Sequence, residues 1–246
     1  MNKINDHLVL VSGESASGKS ASLQYMNDPT GVVYACCEAG KRLPFKSKFK
    51  EITVTDPIAH IAAIFEQAES KPEIHTIVID TVTYLMDMYE SMYVLTAANT
   101  MGAWSNYAQF FKKMLQQYVA NSSKNVIFLA HTKETYNEAA MTMERKVPIK
   151  GALANNGVES YFSTIISTKK VPLTDLEKYS NKLLNITEED QLLGYKHVFQ
   201  TRLTKATVGE RIRAPMGMWD INETYIDNNI QFVLDRLHEY YSDDSQ

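Results

Sequence analysis

Residues 13 to 20, Gly13-Glu14-Ser15-Ala16-Ser17-Gly18-Lys19-Ser20, fit the pattern G-x-x-x-x-G-K-[ST] at every fixed position. This motif constrains the fold because its chemistry needs a strand before it and a helix after it. His7–Ser12 supplies a short apolar strand, and Ala21–Met26 holds good helix formers with no Gly or Pro. The glycines let successive backbone N–H groups turn inward around a chain of phosphates. A helix opening near Gly18 would add its positive end. In that reading Lys19 reaches the β and γ oxygens, and the Ser20 hydroxyl ligates Mg²⁺. Gly13, Glu14, Ser15, Ala16, Ser17, Gly18, Lys19 and Ser20 are therefore the expected nucleotide-binding residues, with ATP and Mg²⁺ as the expected cofactors.

The downstream pattern fits a parallel α/β sheet. Short apolar runs alternate with helical periodicity. Strands are expected at Gly31–Cys36, Ile52–Thr55 (an edge), Ile74–Asp80, Asn125–Ala130, Ser160–Lys169 and Tyr195–Lys205. Helices are expected at Pro57–Glu69, Val82–Ala98, Trp104–Asn121 and Ile226–Tyr241. Thr132–Lys150 is polar and aperiodic, the signature of a functional or disordered loop. No repeat, low-complexity linker or composition break divides the 246 residues, so a single domain over 1–246 is expected.

Composition narrows the class of protein. A 44% hydrophobic, 22% charged chain can bury a full core. Its longest apolar runs are too short to cross a bilayer, so no membrane partner is expected. Met1–His7 carries no signal-like apolar stretch, and the two cysteines, Cys36 and Cys37, fit small core residues in a reducing compartment; the chain reads as cytoplasmic. The net charge of −4 argues against coating nucleic acid by bulk charge, yet leaves room for local basic patches. Two basic stretches stand out, Lys41–Lys50 and Lys196–Arg213, against an acidic Asp243-Asp244 tail.

Ile77-Val78-Ile79-Asp80 is an apolar strand closed by an acid, about sixty residues after the loop. Asp80 is placed to hold the water shell of Mg²⁺ beside Ser20, and it could also cap the Val82 helix. Many phosphate-loop ATPases follow this aspartate with a glutamate that polarises water; here the next residue is Thr81. A water-orienting carboxylate must come from elsewhere. Glu38, after the second strand and on what should be the same sheet edge, is the candidate.

Gly13–Ser20, the strand leading to Glu38-Ala39, Ile77–Thr81, and a strand ending in the polar His131 together resemble the RecA-like recombinase core. The resemblance implies a phosphate-loop core with a mostly parallel central sheet flanked by helices and C-terminal antiparallel strands. It implies catalytic roles for Glu38 and Lys19, with His131 sensing the γ-phosphate. It likens Thr132–Lys150 and Gly151–Asn156 to a mobile DNA-binding loop and the helix after it. Lys133, Arg145, Lys146 and Lys150 are then DNA-binding candidates, with Tyr136 as a stacking residue. Met101–Trp104 could tip a first loop, or Trp104 could be core. Lys205, Arg211 and Arg213 are candidates for reaching a neighbouring subunit's ATP.

Only about six residues precede the first strand, which looks more like the minimal phage-encoded RecA-like ATPases, including single-strand annealing proteins. The resemblance implies ATP hydrolysis, single-stranded DNA as partner, homo-oligomers (filament or ring) with ATP between subunits, and annealing or strand exchange in phage recombination. Alternatives are a nucleotide-dependent switch or assembly ATPase acting on a protein, and a ring helicase or motor. A small-molecule kinase fits less well, because such enzymes carry an Arg-rich lid and Arg is scarce here.

Overall fold

Alternating apolar residues in each short strand decide how the layers pack. A computed structural model describes residues 4–138 and 141–242; the Asp243-Asp244 tail lies outside the described residues. Strands β1 (Leu8–Gly13), β2 (Val32–Cys36), β3 (Lys50–Thr53), β4 (Thr76–Asp80) and β5 (Asn125–His131) are joined by β8 (Thr164–Pro172), β9 (Tyr195–Gln200) and β10 (Tyr225–Asp227) in one sheet. A separate two-stranded ribbon is formed by β6 (Lys133–Asn137) and β7 (Thr142–Lys146). The sheet order is β10-β9-β8-β1-β5-β4-β2-β3, so β3 is an edge, as its short polar sequence suggests. Strands β8, β1, β5, β4, β2 and β3 run parallel; β9 and β10 add antiparallel pairs.

The two faces bury different sets of the same strands. Leu10, Val33, Ala35, Ile77, Ile79, Val126 and Phe128 pack under α1 (Pro57–Glu69), α2 (Val82–Tyr89) and α3 (Thr100–Lys113). Val9, Val11, Tyr34, Val78, Ile127, Leu129 and Ile166 pack on the other face with Leu23 and with Ile230, Val233 and Leu237 of the C-terminal helix Ile230–Ser242. Period-two alternation produces this split. Each fully buried aliphatic side chain contributes roughly 1.5–3 kcal/mol, so the two layers supply the main stabilisation of the sheet.

The register sets up the site. Gly13 pairs with His131, Cys36 with Asp80, and Asp80 with Leu129. The carboxyl ends of β1, β2, β4 and β5 therefore finish side by side, at the edge where open α/β sheets hold ligands.

Several expectations are corrected. After the phosphate loop there is one 3-10 turn, Ser20–Leu23, in place of a helix through Met26. The Ser22 hydroxyl bonds back to the Lys19 carbonyl at 2.6 Å, and Asn27-Asp28-Pro29 redirects the chain into β2. Within Thr132–Lys150, Lys133–Asn137 and Thr142–Lys146 pair as the β6–β7 ribbon and are not structureless. β9 stops at Gln200, and Arg213 pairs with Ile165 through an isolated bridge. Helices α2 and α3 continue as π turns, Glu90–Val94 and Met114–Val119.

Candidate active site

The phosphate loop is shaped by its backbone. Ala16 and Gly18 lie at φ 59° and 109°, the left-handed region that turns consecutive N–H groups to one side. Gly18 is also required by space: a Cβ there would meet the Asn228 amide nitrogen at 2.6 Å. Neighbouring elements hold the loop from outside. His197 Nδ1 lies 2.8 Å from the Ser17 carbonyl, Asn228 donates to the Gly18 carbonyl at 2.8 Å, and Ser17 and Thr168 share a short hydroxyl contact.

Lys19 is buried and folds over its own loop, donating to the Gly13 and Glu14 carbonyls at 3.0 and 2.7 Å. Its Nζ lies 3.3 Å from His131 Nδ1. Burial, followed by the charge of Lys41, pulls the Lys19 ammonium down to about 8. A cation held this way gains from any anion that enters the loop.

Asp80 and Ser20 meet as the motif spacing implies: Ser20 Oγ donates to Asp80 Oδ2 at 2.7 Å. Asp80 is not the helix cap. Thr81 takes that position, its hydroxyl accepting from Tyr84 N, and the Asp80–Thr81 peptide is cis. Asp80 Oδ1 is buried with no hydrogen-bond partner among the described residues. A buried carboxylate oxygen without a donor fits a hydrated cation, so Ser20 and Asp80 suit Mg²⁺. When bound, Mg²⁺ neutralises phosphate charge. Among the described residues no group of three His, Cys, Asp or Glu side chains forms a self-contained metal cage.

Glu38 and His131, 93 residues apart, meet across the sheet edge: His131 Nε2 lies 3.1 Å from Glu38 Oε1. Lys41 occupies the other oxygen, Nζ to Oε2 at 2.5 Å. Burial pushes the Glu38 carboxyl up, but hydrogen bonds from Lys41 and His131 outweigh it and hold the group below the usual range. Burial, then the Lys19 charge, hold His131 below its ordinary value despite Glu38. Thr83 Oγ1 accepts from His131 N at 3.0 Å, and Tyr84 stands edge-on to its ring. The Lys19 ammonium, the Glu38 carboxylate and the His131 imidazole thus converge within one cluster. Such a cluster can bind a triphosphate and orient water against it.

The family model for an AAA domain, AAA_24, matches residues 6–207. The chain belongs to this AAA domain family. The solved structure of the RadB recombinase is similar over 69% of this chain and 77% of that chain, with a TM-score of 0.40 and 18% identity. No curated protein matches the chain. The phosphate loop and the mostly parallel sheet fit this AAA domain. No described helix is long and apolar enough to cross a membrane.

The remaining candidates of the AAA domain divide by placement. Arg145 reaches the phosphate loop, with Glu14 at 3.2 Å, Glu134 at 3.2 Å and Glu210 at 3.7 Å. It lines a cavity of about 250 Å³ with Gly13–Ser17, Lys169 and Arg211. Lys150 is tied to Glu90 at 2.6 Å, whereas Lys133 is exposed and Lys146 pairs with Glu144 at 3.7 Å. Tyr136 is 56% exposed on the ribbon. Lys205, Arg211 and Arg213 are all exposed. Trp104 is no loop tip: it lies within α3, stacks edge-on with Tyr107 and abuts Gly151. Cys36 and Cys37 are free and buried.

Sequence reading missed Tyr34, Thr83, Thr168, His197 and Asn228. Each acts through a tertiary contact, and no spacing relates them to the motif. A phenol in the middle of an apolar strand was the one visible hint.

Proposed function

We propose that this chain is a Mg²⁺-dependent ATPase that uses Glu38 to orient water and binds single-stranded DNA through the β6–β7 ribbon, promoting annealing or strand exchange as in phage recombination. The Glu38–His131 contact carries the reading. It joins the carboxylate after β2 to the end of β5, beside Lys19, and the ribbon begins two residues beyond His131. Nucleotide occupancy sensed at His131 would thereby reach the ribbon. Lys133 and Lys146 would neutralise phosphates and Tyr136 would stack on bases. Arg145 and Lys150 would join them after leaving their carboxylates. Exposed Lys205, Arg211 and Arg213 would serve a neighbour's ATP in a filament or ring.

One observation favours a second reading, a slow nucleotide switch acting on a protein partner. Both Glu38 oxygens are engaged, by His131 and by Lys41, and a carboxylate so held is a weak base. The two readings separate in ATP turnover with and without single-stranded DNA, alongside gel mobility at low salt. The recombination reading expects DNA to raise turnover and to be retarded. Turnover and mobility both indifferent to DNA would leave the switch.

A further inference from the structure

Tyr34 is the middle residue of β2, paired with Val78 and buried in the face that packs on the C-terminal helix. An apolar side chain would satisfy that environment, as Val32 and Cys36 do on the same side of the strand. A phenol brings a hydroxyl that must find a partner. That partner is Asp80: Tyr34 donates to Asp80 Oδ2 at 2.5 Å. Ser20 donates to the same oxygen, while Oδ1 has no partner among the described residues. The two carboxylate oxygens are thus treated unequally, two donors on one and none on the other.

We propose that Tyr34 is a positioning residue for the nucleotide's magnesium: it pins Asp80 through Oδ2 so that Oδ1 is reserved for the ion's water shell. The inference rests on the reading of Ser20 and Asp80 as the Mg²⁺ site. Ser20 has two duties there, since its oxygen must face the ion while its proton faces Asp80. Tyr34 has one, donation to Asp80 Oδ2 from a buried ring. Its ring is held by packing near Phe49, with centroids 6.4 Å apart, so the donor is preorganised.

The test is binding of a fluorescent ATP analogue to wild type, Tyr34→Phe, Asp80→Asn and the double variant, in EDTA and across a Mg²⁺ titration. Tyr34→Phe keeps the ring, and its melting curve verifies the fold. The expected result is affinity in EDTA within twofold of wild type, with the half-saturating Mg²⁺ concentration raised about five- to twentyfold. The double variant should shift no further than Asp80→Asn alone, because Tyr34 acts through Asp80. An unmoved or lowered Mg²⁺ requirement in Tyr34→Phe would overturn the proposal, and so would an equal loss in EDTA, which marks a structural role. Wild type that binds no nucleotide would overturn the site reading, and this inference with it. A normal wild-type curve with an unmoved Tyr34→Phe overturns the inference alone.

Discussion

Lys19 carries its charge at a cost, since burial and Lys41 pull it down to about 8. A bound triphosphate favours the charged form and raises that value. Binding should therefore take up a proton just above pH 8, and affinity should fall by about tenfold per pH unit once the free-loop value is passed. Titration calorimetry at pH 8.5 in two buffers of different ionisation enthalpy measures this uptake; equal apparent enthalpies would contradict it. The residues that sequence could place, Gly13–Ser20, Asp80, Glu38 and His131, belong to short motifs or close a strand. Those it could not place are defined by what they touch. Lys41 closes on Glu38, Thr83 receives the His131 amide, and Arg145 turns from the expected DNA face to the phosphate loop.

The β6–β7 ribbon meets the rest of the fold around Arg145 and Glu144. Arg145 N donates to the Gly209 carbonyl at 3.1 Å, and the Arg145 side chain meets carboxylates from the phosphate loop, β6 and residue 210. Gly209 lies against the Met143 carbonyl with no room for a Cβ. Gly209→Ala should force the two backbones apart and cost about 1–3 kcal/mol, read as a lower urea midpoint with faster amide exchange in residues 133–146. Arg145→Ala should speed proteolysis of the ribbon and leave the sheet's exchange unchanged; unchanged ribbon cleavage would show that the carboxylates do not hold it. The ribbon was illegible in sequence because Lys133–Asn137 and Thr142–Lys146 lack apolar alternation, and their pairing leans on a segment sixty residues downstream. The missing phosphate-loop helix has a local cause: helix propensity in Ala21–Met26 is overridden by the Ser22 back-bond and the turn at Asp28-Pro29.

Across the whole molecule, the central parallel strands were legible because β1, β2, β4 and β5 are buried apolar runs, whereas the polar, exposed edge β3 lies at Lys50–Thr53, two residues before the expected Ile52–Thr55. Strand order was not, since β1 lies between β5 and β8 and only tertiary packing decides that. This order is what joins Gly13 to His131 and Cys36 to Asp80, so stability and site geometry share one framework. Phe128, fully buried in the central β5, is the sharpest probe of that framework. Phe128→Ala should cost about 3–5 kcal/mol and weaken nucleotide binding in proportion to the unfolded fraction.

In the proposed mechanism Lys19 binds the triphosphate and Glu38 orients the water that cleaves it. Nucleotide binding and ATP turnover in Lys19→Ala and Glu38→Gln test this most directly. Glu38→Gln should bind ATP within a few-fold of wild type and turn it over about 10²–10⁴ times more slowly, while Lys19→Ala should lose binding. Turnover undiminished in either variant would contradict it.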